Sequence, residues 1–71
     1  MLIDKISKID ISDLEDVKIY IDLENKIIHL GDFENLSTKF IYVKTIMEKE
    51  EGNKGDIFVN DVSRAYFRKK N

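Results

Sequence analysis

An α+β fold, with one helix on one face of a mostly antiparallel sheet, is what these 71 residues predict. Two observations carry it. Several short stretches alternate apolar and polar residues with a period of two, as strands buried on one face do. Between them, one stretch repeats its apolar residues every three to four positions, as a helix with a single buried stripe does. The element order is (β)-β-β-α-β-β. A helix lying over a sheet satisfies both periodicities at once.

Near the start, Ile9 and Ile11 flank Asp10 and fit a strand, with Ile6 just upstream. Val17, Ile19, Ile21 and Leu23 then alternate with Lys18, Tyr20 and Asp22, a half-buried strand over 17–23. Glu24 and Asn25 stand where a tight turn belongs, because Asn accepts a positive φ at small cost. Residues 26–30 return as the second arm of a hairpin, with Ile28 and Leu30 inward. After Gly31, Asp32 or Asn35 serves as a helix cap by accepting an otherwise unpaired backbone N–H. Leu36, Phe40, Val43 and Met47, joined by Ile46, make the helical stripe, with Phe40 in the core. Ser37, Lys39, Lys44, Glu48 and Lys49 face away. Gly52 suits the residue after a helix end, and 52–55 form a loop. Ile57, Phe58 and Val59 read as a strand, Asn60 and Asp61 as a turn, and 63–68 as the last strand. In that strand Ala65 and Phe67 alternate with Arg64, Tyr66 and Arg68.

Composition narrows the function. Twelve basic and 14 acidic residues leave a net charge of −2, without the cationic surplus that a phosphate backbone attracts. No nucleic-acid partner is expected. There is no cysteine, so no disulfide, thiolate metal site or thiol nucleophile. No apolar run is long enough for a membrane-spanning helix. With 71 residues the chain allows one domain, 1–71, whose fold buries only about 60% of the unfolded surface.

Little in the sequence suggests catalysis. His29, the one histidine, sits mid-strand on the face opposite Ile28 and Leu30, with no recognisable nucleophile or further metal ligands. Asp10, Asp13, Glu15 and Asp16 read as an acidic loop. Glu48, Glu50 and Glu51 read as a solvated helix end. The Gly52 to Gly55 loop lacks the phosphate-cradling pattern and leads into a strand, not a helix. Arg68, Lys69 and Lys70 form a short solubilising basic tail. No enzyme activity and no cofactor are expected. The aromatics say more. Phe58 and Tyr66 lie on the strand face opposite Ile57 and Phe67, and one helix cannot cover both faces of a sheet. Exposed aromatics near a sheet edge suit a protein-binding surface. The alternative is a small RNA-binding α+β domain, stacking bases on Tyr20, Phe58 or Tyr66. Residues 1–12 read as the weakest segment, an edge through which two copies would dimerise or exchange strands.

Residues 26–32, Lys-Ile-Ile-His-Leu-Gly-Asp, followed by Asn35, Leu36, Lys39 and later Gly55, Asp56 and Ile57, resemble the bacterial cell-division family FtsQ/DivIB. Ile9 to Ser12 and Tyr66 to Arg68 are similar to family text as well. The likeness covers roughly residues 6–68. It implies that the chain is a fragment, the C-terminal part of that family's extracytoplasmic β domain, without the membrane helix and POTRA domain that precede it there. The chain departs from the family pattern at Glu24 and Asn25, and again after Gly55. The resemblance implies a non-enzymatic divisome scaffold at the septum, on the extracytoplasmic face of the cell membrane. Its protein partners would be of the FtsB/DivIC and FtsL type. Carried over by position, the partner surface is Val59, Asn60, Arg64, Tyr66 and Phe67, with Lys39 and Tyr42 on the helix.

Overall fold

Alternation of apolar and polar residues shapes five segments into one sheet: β1 (Lys8–Asp10), β2 (Val17–Ile21), β3 (Lys26–Gly31), β4 (Gly55–Phe58) and β5 (Tyr66–Lys69). The computed structural model describes residues 5–70. The part of the segment 1–12 that precedes Lys5 therefore lies outside the described residues. Spatial order follows chain order, β1-β2-β3-β4-β5. Every neighbouring pair is antiparallel except β3 and β4. The exception follows from connectivity. The helix α1 (Leu36–Lys49) carries the chain from the end of β3 to the start of β4, and such a crossover lays two strands parallel.

One face of the sheet is sealed. Val17, Ile19 and Ile21 from β2 meet Ile28 and Leu30 from β3 and Ile57 from β4, and all are buried. Val43 and Met47 of α1 cover them, flanked by half-buried Leu36, Phe40 and Ile46. Each fully buried Ile or Leu is worth about 1.5–3 kcal/mol, so this face carries most of the fold. The centre of the helical stripe is Val43 and not Phe40, whose ring is only half buried at the edge of the cluster. No described helix is long and apolar enough to cross a membrane.

Element boundaries differ from the sequence reading mostly where a local turn competes with the strand ladder. Asp10 Oδ1 accepts the Ser12 N–H at 2.9 Å, an Asx turn that stops β1 and leaves Ile11 exposed. The second strand ends at Ile21, not Leu23. Residues 22–24 wind into a 3-10 turn closed by the Asn25 N–H on the Asp22 carbonyl. Leu23 is consequently 89% exposed. Asn25 does take positive φ, at 53°. Neither expected residue caps α1 with its side chain. Asn35 is itself left-handed at φ 57° and makes no side-chain cap bond, while Asp32 Oδ1 accepts the N–H of Glu34. The last strand is shorter than 63–68. The Asp61 carboxylate takes both the N–H and the hydroxyl of Ser63, which winds Val62–Arg64 into a 3-10 turn. β4 begins earlier than Ile57, at Gly55.

Two lysines break the expected polarity. Lys39 sits three residues after Leu36 and four before Val43, which places it on the apolar stripe and not on the outer side of α1. It is 1% exposed. Its ammonium ends on the carbonyl and Oδ1 of Asp32, 2.9 Å from each. Lys26 likewise shares the covered face with Ile28, buried along its stem, with Nζ 3.3 Å from Glu24 Oε1. Long lysine stems cover apolar surface well when the charge finds a partner at the margin.

Candidate functional site

The two faces and two edges of the sheet hold different chemistry, and a row of stacked rings ends at β5. This strand has β4 on one side and no strand of the described chain on the other. Its hydrogen-bonding sense follows from the ladder. The Gly55 and Val59 N–H groups donate to Asn25 and His29 of the β3 side, so the backbones of Asp56 and Phe58 turn toward β5. Their registered partners are Arg68 and Tyr66, and the Lys70 N–H donates to the Lys54 carbonyl at 2.9 Å. In an antiparallel ladder such pairs alternate with outward ones. The N–H and C=O groups of Phe67 and Lys69 therefore face away from the sheet, open to another strand.

On the uncovered face a row of rings ends at this edge. His29 on β3, Phe58 on β4 and Tyr66 on β5 are register partners. The imidazole stacks on Phe58 with centroids 4.3 Å apart and planes 6° apart, and Phe58 stacks on Tyr66 at 4.7 Å and 14°. These separations are close to the roughly 4.7–4.9 Å spacing of neighbouring strands, the His29 pair being the tighter. The rings stand upright, face to face, so both faces of Phe58 are occupied. Tyr66 keeps one face free, toward the open edge, and is 53% exposed. Below the row, Asp56 Oδ2 lies 2.9 Å from His29 Nε2. Its other oxygen, Oδ1, is buried without a hydrogen-bond partner, and the nearest cation, Lys70 Nζ, stands 3.9 Å away. An unpaired buried acceptor costs about 1–3 kcal/mol, so the single bond to His29 is what orients this carboxylate.

Beside the start of β5, Tyr42, Ile46 and Lys49 of α1 face Val62, Arg64 and Ala65 across a shallow groove. The edge and groove are cationic. Among the described residues no carboxylate lies within ion-pair distance of Lys49, Arg64, Arg68 or Lys69.

Not all of the residues expected to meet a partner are brought to this surface. Tyr66, Arg64 and Tyr42 are exposed around the edge and the groove. Asn60 is exposed where it packs over Gly31; a Cβ on that glycine would come within 2.7 Å of Asn60 Cβ. Val59 is 0% exposed and belongs to the core. Phe67 is half buried, its ring folded over Gly55 on the covered face, and it offers a partner only backbone. Lys39 is buried against Asp32 and has no surface to offer. Sequence reasoning did not join His29 and Asp56 to the site. Alternation assigns His29, Phe58 and Tyr66 to one face, but only register makes them neighbours. Among the described residues no group of three His, Asp or Glu side chains could hold a metal ion. No family model, curated protein or solved structure matches this chain.

Proposed function

We propose that this chain is a non-catalytic protein-interaction module that captures an extended segment of a partner along the free edge of β5 and the adjoining face of α1. One observation carries the reading: β5 is an edge strand with outward backbone groups at Phe67 and Lys69 and with an upright, half-exposed Tyr66 beside them. Main-chain bonds to such an edge supply affinity, and alternate side chains supply specificity. Tyr66 is the anchor, and Arg64, Arg68 and Lys69 favour a partner segment with acidic residues. The resemblance to FtsQ/DivIB supplies the setting, a divisome scaffold at the extracytoplasmic face of the septal membrane with FtsB/DivIC- and FtsL-type partners. The net charge of −2 favours protein over RNA as the partner, because a phosphate backbone attracts a cationic surplus that this chain lacks.

The test is capture of the extracytoplasmic C-terminal segment of an FtsB/DivIC-type protein. Tyr66→Ala should weaken it by about 30-fold or more, as loss of an aromatic hot spot does. Lys69→Pro removes one outward donor and should abolish capture with the fold intact, since edge strands tolerate proline where the N–H faces out. Arg68→Pro removes an inward donor and should unfold β5. Undiminished capture by folded Tyr66→Ala and Lys69→Pro variants would overturn the reading, and salt-dependent binding to single-stranded oligonucleotides would favour the RNA alternative.

A further inference from the structure

Tyr66 has few means of holding its ring upright. It lies on an edge strand, is half exposed, and has solvent on its outer side. Its inner face rests on Phe58. Phe58 in turn would be free to tilt inward, toward β3, were its other face not backed by His29 at 4.3 Å with near-parallel planes. His29 is the innermost ring of the row. Its imidazole is fixed by a bond from outside the row, Nε2 to Asp56 Oδ2 at 2.9 Å. Asp56 belongs to the same strand as Phe58, two residues earlier, so the tether crosses from β3 back to β4 under the stack. Among the described residues that bond is also the only hydrogen bond of the Asp56 side chain, whose second oxygen is buried without a hydrogen-bond partner. The histidine makes the closer contact, since the exposed Lys70 Nζ stands 3.9 Å from the second oxygen. Arg68, the register partner of Asp56 on β5, makes no ion pair with it.

We infer that His29, tethered by Asp56, is a positioning residue for Tyr66, setting from two strands away the orientation of the ring that meets the partner. This rests on the docking reading above for its consequence, partner capture, but not for its geometry. Stacked aromatic pairs favour a restricted set of separations and tilts, so order is passed along the row from the tethered ring to the free one. His29 itself touches no partner. It acts through Phe58.

The experiment follows the Tyr66 ring resonances by NMR in the full chain without any partner, and then measures capture of the same FtsB/DivIC-type segment. In the native protein these resonances should be displaced by the ring current of Phe58. His29→Ala should return them toward the positions of a free tyrosine and weaken capture about tenfold, with the amide resonances of Val43 and Met47 on the covering helix unmoved. His29→Phe supplies a ring without the tether and should leave both readouts between those of the native protein and His29→Ala. Tyr66 resonances that stay in place in His29→Ala, or that His29→Phe restores in full, overturn the inference. Should His29→Ala not fold, Asp56→Asn and Asp56→Ala decide. Asn keeps an acceptor for the imidazole and should leave Tyr66 in place, Ala should release it, and identical spectra count against the tether. If the resonances respond as expected but the native protein captures nothing, the ring positioning stands and the docking reading falls.

Discussion

The two faces of the sheet are made by the same strands and obey different rules. On β2 the covered residues Val17, Ile19 and Ile21 are buried, whereas Lys18 and Tyr20, one position away, are half exposed. The covered face is held by apolar area under α1, which is non-directional and tolerant of detail. The open face has no such lid. It is organised by pairs across strands: Lys8 Nζ lies 5.3 Å from the Tyr20 ring centroid, His29 bonds Asp56, and three rings stack in a row. Area makes the fold, and register makes the pattern of side chains on the open face.

The contrast can be broken most severely from the covered side. Ile28→Ala removes a fully buried side chain from the central strand and should cost about 2–5 kcal/mol in urea unfolding, comparable to the whole stability of so small a domain. Gly55→Ala tests the seam where β5 attaches. A Cβ there would stand 2.3 Å from the Arg68 carbonyl oxygen and 2.7 Å from the Phe67 ring. The strand must move away, at about 1–3 kcal/mol or more, and hydrogen exchange should show β5 released before β2 and β3.

Acid probes the charges at the margin of the covered face. The Lys39 ammonium holds Asp32 below its ordinary value of 3.8, and Lys5, with Lys26, holds Glu24 below 4.5. A carboxylate depressed in the folded state stabilises fully above its unfolded value, and the contribution is lost as pH falls through the folded value. Stability should therefore not depend on these groups between about pH 5 and 7 and should decline below about pH 4. Lys39→Met, which keeps the stem over the core, should make the acid decline shallower. A decline as steep as that of the native protein would show that Asp32 does not titrate against Lys39.

The smallest effect belongs to the open face. Tyr20→Ala leaves the core untouched and loses one exposed cation–π contact, so it should cost under about 1 kcal/mol. A larger loss in urea unfolding would mean that this face contributes area as well as register.

Much of the covered face was legible in the residues themselves. Period-two alternation in 17–21 and in 28–30 assigns inside and outside correctly, and so do Val43 and Met47 on the helical stripe. Asn25 announced its positive φ. Local competition defeated the reading at strand ends, where Asp10, Asp22 and Asp61 gather backbone groups into turns. It also failed at Lys39, where charge argued for solvent although spacing placed the residue on the stripe.

By itself, the sequence determined which side of its own element each residue occupies, because strand and helix periods are properties of a few consecutive residues. The tertiary structure alone decided that Val59 is buried in the core with Phe67 packed against it, and that His29, Phe58 and Tyr66 stand in one row. Those facts depend on register between segments distant along the chain. A slip of one residue would turn every side chain of a strand to the other face, and the choice among registers belongs to all of the packed elements together.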